Sequence, residues 1–201
     1  MENMGQLLYG ITGGNVSAIE VEVRGEIADK DVSILKLAGL KGFYLNQVEE
    51  QVSYVNAPLL ASARGVEVRL STDLRSEEYR NVTTIKALLK DGGSAWVSGT
   101  VIGPKLIQKF TNISGYDVDL SPAENMILTI YADRPGVVAV YGKAFAENNI
   151  NIAAMQIARD AKGGKALSVI TVDSAVAPEV LEKLATNIQA EMMKAVKLNL
   201  A

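Results

Sequence analysis

With 201 residues, 48% of them hydrophobic and 21% charged, the chain is long enough for one large domain or two small ones, with a sizeable core. Its 20 basic and 23 acidic residues are mixed along the chain and leave a formal net charge of -3, which argues against a nucleic-acid or anionic-membrane footprint. It has no cysteine and no histidine, which excludes disulfides, thiolate nucleophiles, Cys-type zinc or iron–sulfur sites and a Ser/His/Asp triad.

Residues 4–11 carry apolar side chains at helical spacing (Met4, Leu7, Leu8, Ile11), over a stretch too short to stand alone, and the run closes on Gly13-Gly14-Asn15. Residues 1–15 read as the remnant of an upstream linker or helix, with the first domain opening at residue 16. From 17 to 27, Ile19, Val21 and Val23 alternate with Glu20, Glu22 and Arg24, the pattern of a half-buried strand. Residues 31–43 read as a helix, with Val32, Leu35, Gly39 and Phe43 near one face and Asp29 or Asp31 placed to cap it. A second helix is predicted over 58–63, with Asn56 as cap, Pro58 in the first turn and Gly65 as terminator. Residues 66–71 alternate as a strand again. Asp91-Gly92-Gly93 divides two apolar runs and predicts a hairpin across 79–102. Further strands are predicted over 105–113 and 116–120, with Ser114-Gly115 turning between them.

Ser121-Pro122-Ala123-Glu124 is the predicted boundary, giving a first domain over 16–121 and a second over 124–201. Beyond it come a strand at 125–131, a helix at 137–148, strands at 152–158 and 166–172, a helix at 178–189 and a last strand over 192–200. That order is βαββαβ, the ferredoxin-like arrangement of an antiparallel sheet with two helices on one face. The fold class is α+β in two domains, the first mixing helices and strands. No apolar run approaches the roughly 18–20 residues that span a bilayer. The start lacks the basic-then-apolar order of a secretory signal. The expected location is cytoplasmic, with no membrane and no nucleic-acid partner.

The densest chemical signal is Tyr131-Ala132-Asp133-Arg134-Pro135-Gly136, where a buried strand gives way to a helix at Val137. Asp133 is placed to accept as a helix N-cap, Pro135 suits a first turn, and Gly136 lets the backbone approach a ligand. Free N–H groups at a helix start favour a carboxylate, and an aspartate at a strand end can hold an ammonium. Asn151, in Asn148-Asn149-Ile150-Asn151, carries an amide that donates and accepts at once. The residues by themselves fit a capped strand-to-helix turn followed by a loop asparagine more readily than a zwitterion socket.

The stretch IYADRPGVVAVYGKAFAENNINIAAMQIARDAKGGKALSVITVD closely resembles the ACT domain of D-3-phosphoglycerate dehydrogenases. Upstream, VEVRGEIA, YVNAPLLASARGVEV and VSGTVIGPKLIQKF resemble the intervening, allosteric-substrate-binding domain of the long-type enzymes, so the likeness runs from about Ser17 to Leu200. The resemblance implies a regulatory fragment of an enzyme that takes the first committed step of L-serine biosynthesis. It implies L-serine as feedback effector at an interface between two ACT domains. Tyr131, Asp133 and Asn151 match the family's contact positions, Asn151 reaching across from the neighbouring subunit. Arg134, Pro135, Gly136 and Val137 complete the site through backbone groups. A homodimer or tetramer follows. The resemblance also implies an anion or substrate-effector site in the intervening domain, of which Lys109 matches one basic position. The others fall on the uncharged Tyr116, Ser121 and Thr171, and Lys105 or Arg64 stand as substitutes.

No Gly-x-Gly-x-x-Gly turn and no acid/base histidine is present. The chain is therefore expected to hold no cofactor, metal or catalytic residue, NAD belonging to domains of the parent enzyme. The regulatory part of an L-serine dehydratase, and a stand-alone amino-acid-sensing or oligomerisation module, are the alternative readings.

Overall fold

The structure, a computed structural model, describes residues 1–200. It divides into two compact units, the first comprising Met1–Ser114 and Asp119–Pro122, the second Gly115–Val118 and the chain from Ala123 onward.

The first unit begins with helix α1 (Glu2–Thr12), followed by strand β1 (Val16–Gly25), a short 3-10 turn (Glu26–Asp29), helices α2 (Ser33–Tyr44) and α3 (Ala57–Ala63), and strands β2 (Glu67–Asp73), β3 (Asn81–Leu89), β4 (Ser94–Ile102) and β5 (Ile107–Ile113); β6 (Tyr116–Leu120) follows, with its residues up to Val118 counted in the second unit. The sheet order is β2-β1-β3-β4-β5-β6, with β1 and β2 parallel and β1–β3, β3–β4 and β4–β5 antiparallel. Alternation in β1 drives this arrangement: Ile19, Val21 and Val23 are fully buried. The Asp91-Gly92-Gly93 turn closes the β3–β4 hairpin, Gly92 at φ 93° and the Leu89 N–H donating to the Gly93 carbonyl over 2.8 Å.

Residues 1–15 are not a detached remnant. Met4, Leu7 and Leu8 of α1 are buried, and α1 lies against α2 at glycine contacts. A Cβ on Gly5 would collide with the Gly39 carbonyl oxygen, and one on Gly42 with the Glu2 carbonyl oxygen. The short helix stands because it is packed, which supplies what its length cannot.

The cap expectations divide. Val32, not Asp29 or Asp31, stands at the N-cap position of α2, and Asp31 accepts from the Ser33 N–H at 3.0 Å from one residue before it. Asn56 occupies the N-cap position of α3 without a capping bond from its side chain. Its Oδ1 instead accepts from the Ser53 N–H at 2.7 Å and its Nδ2 donates to the Gln51 carbonyl at 3.0 Å, so it ties down the preceding turn.

In the second unit the order is β7 (Asn125–Ala132), α4 (Val137–Glu147), β8 (Ile152–Arg159), β9 (Lys165–Val172), α5 (Pro178–Ile188) and β10 (Met192–Lys197). The sheet runs β10-β7-β9-β8, antiparallel throughout. The βαββαβ order thus closes as a ferredoxin-like sheet with β8 and β10 at its edges. Tyr141 and Phe145 of α4 and Leu184 and Ile188 of α5 share one core with Ile127, Tyr131, Ala166 and Ile170 of the sheet, so the two helices cover one face.

Candidate functional site

Tyr131 is the penultimate residue of β7 and points into the helix-covered core, 2% exposed. Burial pushes its phenol pKa up, the Tyr141 ring and the Asp133 carboxylate add to the rise, and Arg159 opposes it. Tyr131 is therefore a neutral wall beside Asp133.

Beyond β7 the Asp133 N–H donates to the Gly164 carbonyl at 2.9 Å, which extends the β7–β9 ladder and fixes the Asp133 backbone. The anticipated N-cap role does not hold. Helix α4 starts at Val137 with Gly136 at the N-cap position and no capping side chain. Pro135 accordingly precedes the helix. The Asp133 carboxylate instead meets the Arg159 guanidinium, Oδ2 to Nε 3.0 Å, with the aspartate side chain 14% exposed and the arginine 60% exposed. The two residues are far apart in sequence and are brought together by the strand register, Ala132 facing Lys165 and Arg159 facing Ala166.

Gly136 is required for its backbone angle, φ 92°, since a Cβ there would meet nothing within 4 Å. Val137 is buried in the core and anchors the first turn. The first N–H groups of α4 lack intrahelical partners and so offer donors to an anion. Arg134 has a task of its own. Its guanidinium donates to the Ile188 carbonyl at 2.8 Å and to Gln189 Oε1 at 2.9 Å, satisfying the C-terminus of α5.

Asn151 lies elsewhere. It precedes β8, whose Ile152 faces Val172, and Val172 faces Asn125 at the start of β7. Asp133 sits past the opposite end of the sheet, beside Lys165. Lys165 and Val172 are the two ends of β9, so within one chain Asn151 and Asp133 are separated by roughly 24 Å of sheet at about 3.4 Å per residue. Asn151 is itself engaged, its Nδ2 donating to Asp173 Oδ2 at 2.7 Å. A single copy brings Tyr131, Asp133 and the 134–137 turn together, and leaves Asn151 out.

In the first unit Lys109 is paired with Asp119, Nζ to Oδ1 2.8 Å, its side chain 22% exposed. It borders a cavity of about 260 Å³ shared with Met4, Asn81, Gln108 and Phe110. Lys105 is exposed in the turn between β4 and β5. The two lysines anticipated for an anion do not converge on this cavity. Arg64 lies over the Tyr44 ring, 5.3 Å from its centroid. Among the described residues no group of three or more Asp or Glu side chains could hold a metal ion, and no helix is long and apolar enough to cross a membrane.

Comparison with known proteins decides what these units are. The D-3-phosphoglycerate dehydrogenase intervening domain matches residues 1–113, and the ACT domain matches residues 125–188. The chain belongs to the D-3-phosphoglycerate dehydrogenase family. Among its relatives, the D-3-phosphoglycerate dehydrogenase of Mycobacterium leprae is 33% identical over 197 residues, 98% of this chain and 37% of that protein. That of Mycobacterium tuberculosis is 34% identical over 182 residues, covering 90% of this chain and 34% of the relative. The enzyme of Archaeoglobus fulgidus is 30% identical over 185 residues, 91% of this chain and 34% of its own length. The chain spans about a third of the length of the curated relatives it matches. The intervening-domain match begins at residue 1, in keeping with the burial of α1 in the first unit.

Arg159 is the residue at the Asp133 carboxylate that sequence reasoning missed. No local pattern marks it: it ends a strand before an Asp160-Ala161-Lys162-Gly163-Gly164 turn, where an arginine reads as an exposed terminus. The register of β8 on β9 is what aims it at Asp133.

Proposed function

We propose that this chain is the regulatory region of a D-3-phosphoglycerate dehydrogenase, and that its ACT unit binds L-serine as a feedback effector between two copies of the chain. The observation that carries the reading is the strand-end socket of Tyr131, Asp133 and the 134–137 turn, within a chain that matches the intervening and ACT domains in order. An aspartate carboxylate for an ammonium and helix-start N–H groups for a carboxylate suit an α-amino acid. Asn151 supports the two-copy form, because it stands at the far end of its own sheet and can complete a socket only in another copy. Strand β8 is a sheet edge, and edges invite pairing.

On this reading the NAD-dependent oxidation belongs to domains outside this chain. Serine acts by favouring one state of the assembly over another, which requires unequal affinity for the two states. The protein works in the cytoplasm. Titration calorimetry with millimolar L-serine tests the reading: saturable heat and a rise in melting temperature are expected, and Asp133→Ala should abolish both. No heat and no thermal shift with the unaltered chain would remove serine as effector. A monomer by light scattering, with and without serine, would remove the shared site.

A further inference from the structure

Three basic residues flank the end of β7 at the proposed effector socket, and they are not equivalent. Arg134 is committed to the carbonyls that end α5. Lys165 is committed to Glu191, Nζ to Oε2 2.5 Å. Arg159 is held by Asp133 itself, through Nε, and its side chain is 60% exposed. The carboxylate expected to receive a ligand ammonium is thus already neutralised by a residue that a ligand can reach.

We infer that Arg159 joins the helix-start N–H groups of α4 in binding the carboxylate of the effector and that the Asp133–Arg159 ion pair is the element that restricts the socket to zwitterions. This rests on the proposed effector role of the ACT unit and adds the residue that sets ligand class. The physical argument is charge balance at a part-buried site. Asp133 is only 14% exposed, so leaving its carboxylate without a counter-ion is unfavourable. An amine without a carboxylate would take Asp133 and leave the 60% exposed Arg159 to water, gaining one charged contact where an amino acid gains two. A carboxylate without an amine would take Arg159 and strand Asp133. An α-amino acid carries both charges on one carbon and replaces one internal ion pair with two external ones, leaving nothing unpaired. A guanidinium suits the second contact because its planar fork matches a carboxylate. Tyr131, kept neutral beside Asp133 by burial, adds no competing charge.

The test is calorimetric titration of the whole chain, unaltered and as Arg159→Gln, with L-serine, ethanolamine and glycerate. The unaltered chain should bind serine at least about tenfold tighter than either analogue, as expected for loss of one charge-assisted contact. Arg159→Gln should weaken serine by about tenfold or more and bring serine and ethanolamine to within about threefold of each other. That loss of selectivity is what a merely structural arginine would not produce. Arginine side-chain Nε–H resonances provide a readout without substitution: the Arg159 signal should move on adding serine. Serine binding to Arg159→Gln as tightly as to the unaltered chain, or an Arg159 resonance indifferent to serine, overturns the inference while leaving the effector role intact. Failure of serine to bind the unaltered chain overturns both.

Discussion

The two units solve the problem of covering a sheet with helices in opposite ways. In the first, α1 and α2 touch backbone to backbone, Gly5 against the Gly39 carbonyl and Gly42 against Glu2, with no room for a Cβ. In the second, α4 and α5 reach the sheet through large side chains, Tyr141, Phe145, Leu184 and Ile188. Tyr141 also donates to or accepts from Ser168 over 2.8 Å, so the hydroxyl at the centre of that core has a partner. In the first unit the comparable Tyr44 hydroxyl is buried with none. The lesson is that the α1–α2 contact of the first unit is intolerant of added volume and the helix–sheet core of the second of lost volume, although both units are built from alternating strands and short helices.

Substitutions break this contrast in predictable order. Phe145→Ala empties the centre of the second core and should destabilise by about 3–5 kcal/mol, measured by urea denaturation. Gly42→Ala adds a methyl where the Glu2 backbone already stands and should destabilise by about 1–3 kcal/mol on the same measurement, whereas a solvent-facing glycine such as Gly142, with nothing within 4 Å, should accept alanine without loss. Arg134→Ala removes the donors that satisfy the last carbonyls of α5 and should lower stability by about 1–2 kcal/mol, with faster amide exchange at 185–190. Tyr44→Phe sharpens the comparison in the other direction. Its phenol is pushed up to about 12 by burial, against the opposing Arg64 charge. Deleting an unpartnered buried hydroxyl should raise stability by about 1 kcal/mol, and the matching Tyr141→Phe should lower it.

The smallest expected effect concerns pH. Burial raises the Glu2 carboxyl, but the Tyr54 hydroxyl at 2.5 Å and the Lys41 ammonium at 2.9 Å outweigh it, so its pKa lies below 4.5 in the folded chain. A depressed carboxyl contributes stability that is full above its unfolded pKa and is lost as pH falls through the folded one. Glu2→Gln should therefore narrow the difference in melting temperature between pH 7 and pH 3.

Much of the second unit was legible because its signals are local. Val137 to Asn148 and Pro178 to Gln189 show helical spacing, and Lys162-Gly163-Gly164 marks a turn between two apolar runs. The helix end of α4 shows the limit of that reading. Asp133 and Pro135 looked like cap and first turn, but the helix waits for Gly136, whose left-handed backbone redirects the chain. Residues 1–15 show another limit, since a short helix with few apolar residues reads as a loose end until its glycine contacts with α2 are seen.

The sequence by itself determined the strand and helix order, the antiparallel ferredoxin-like class of the second unit, the absence of cysteine and histidine chemistry, and the chain segment holding the socket. These depend on period and composition, which neighbouring residues carry. Only the tertiary structure decided that Arg159 is the partner of Asp133, that Arg134 serves α5, and that Asn151 lies at the far end of its own sheet. Those facts depend on strand register and on which sheet end each loop occupies, which are set by pairing between residues distant in the chain.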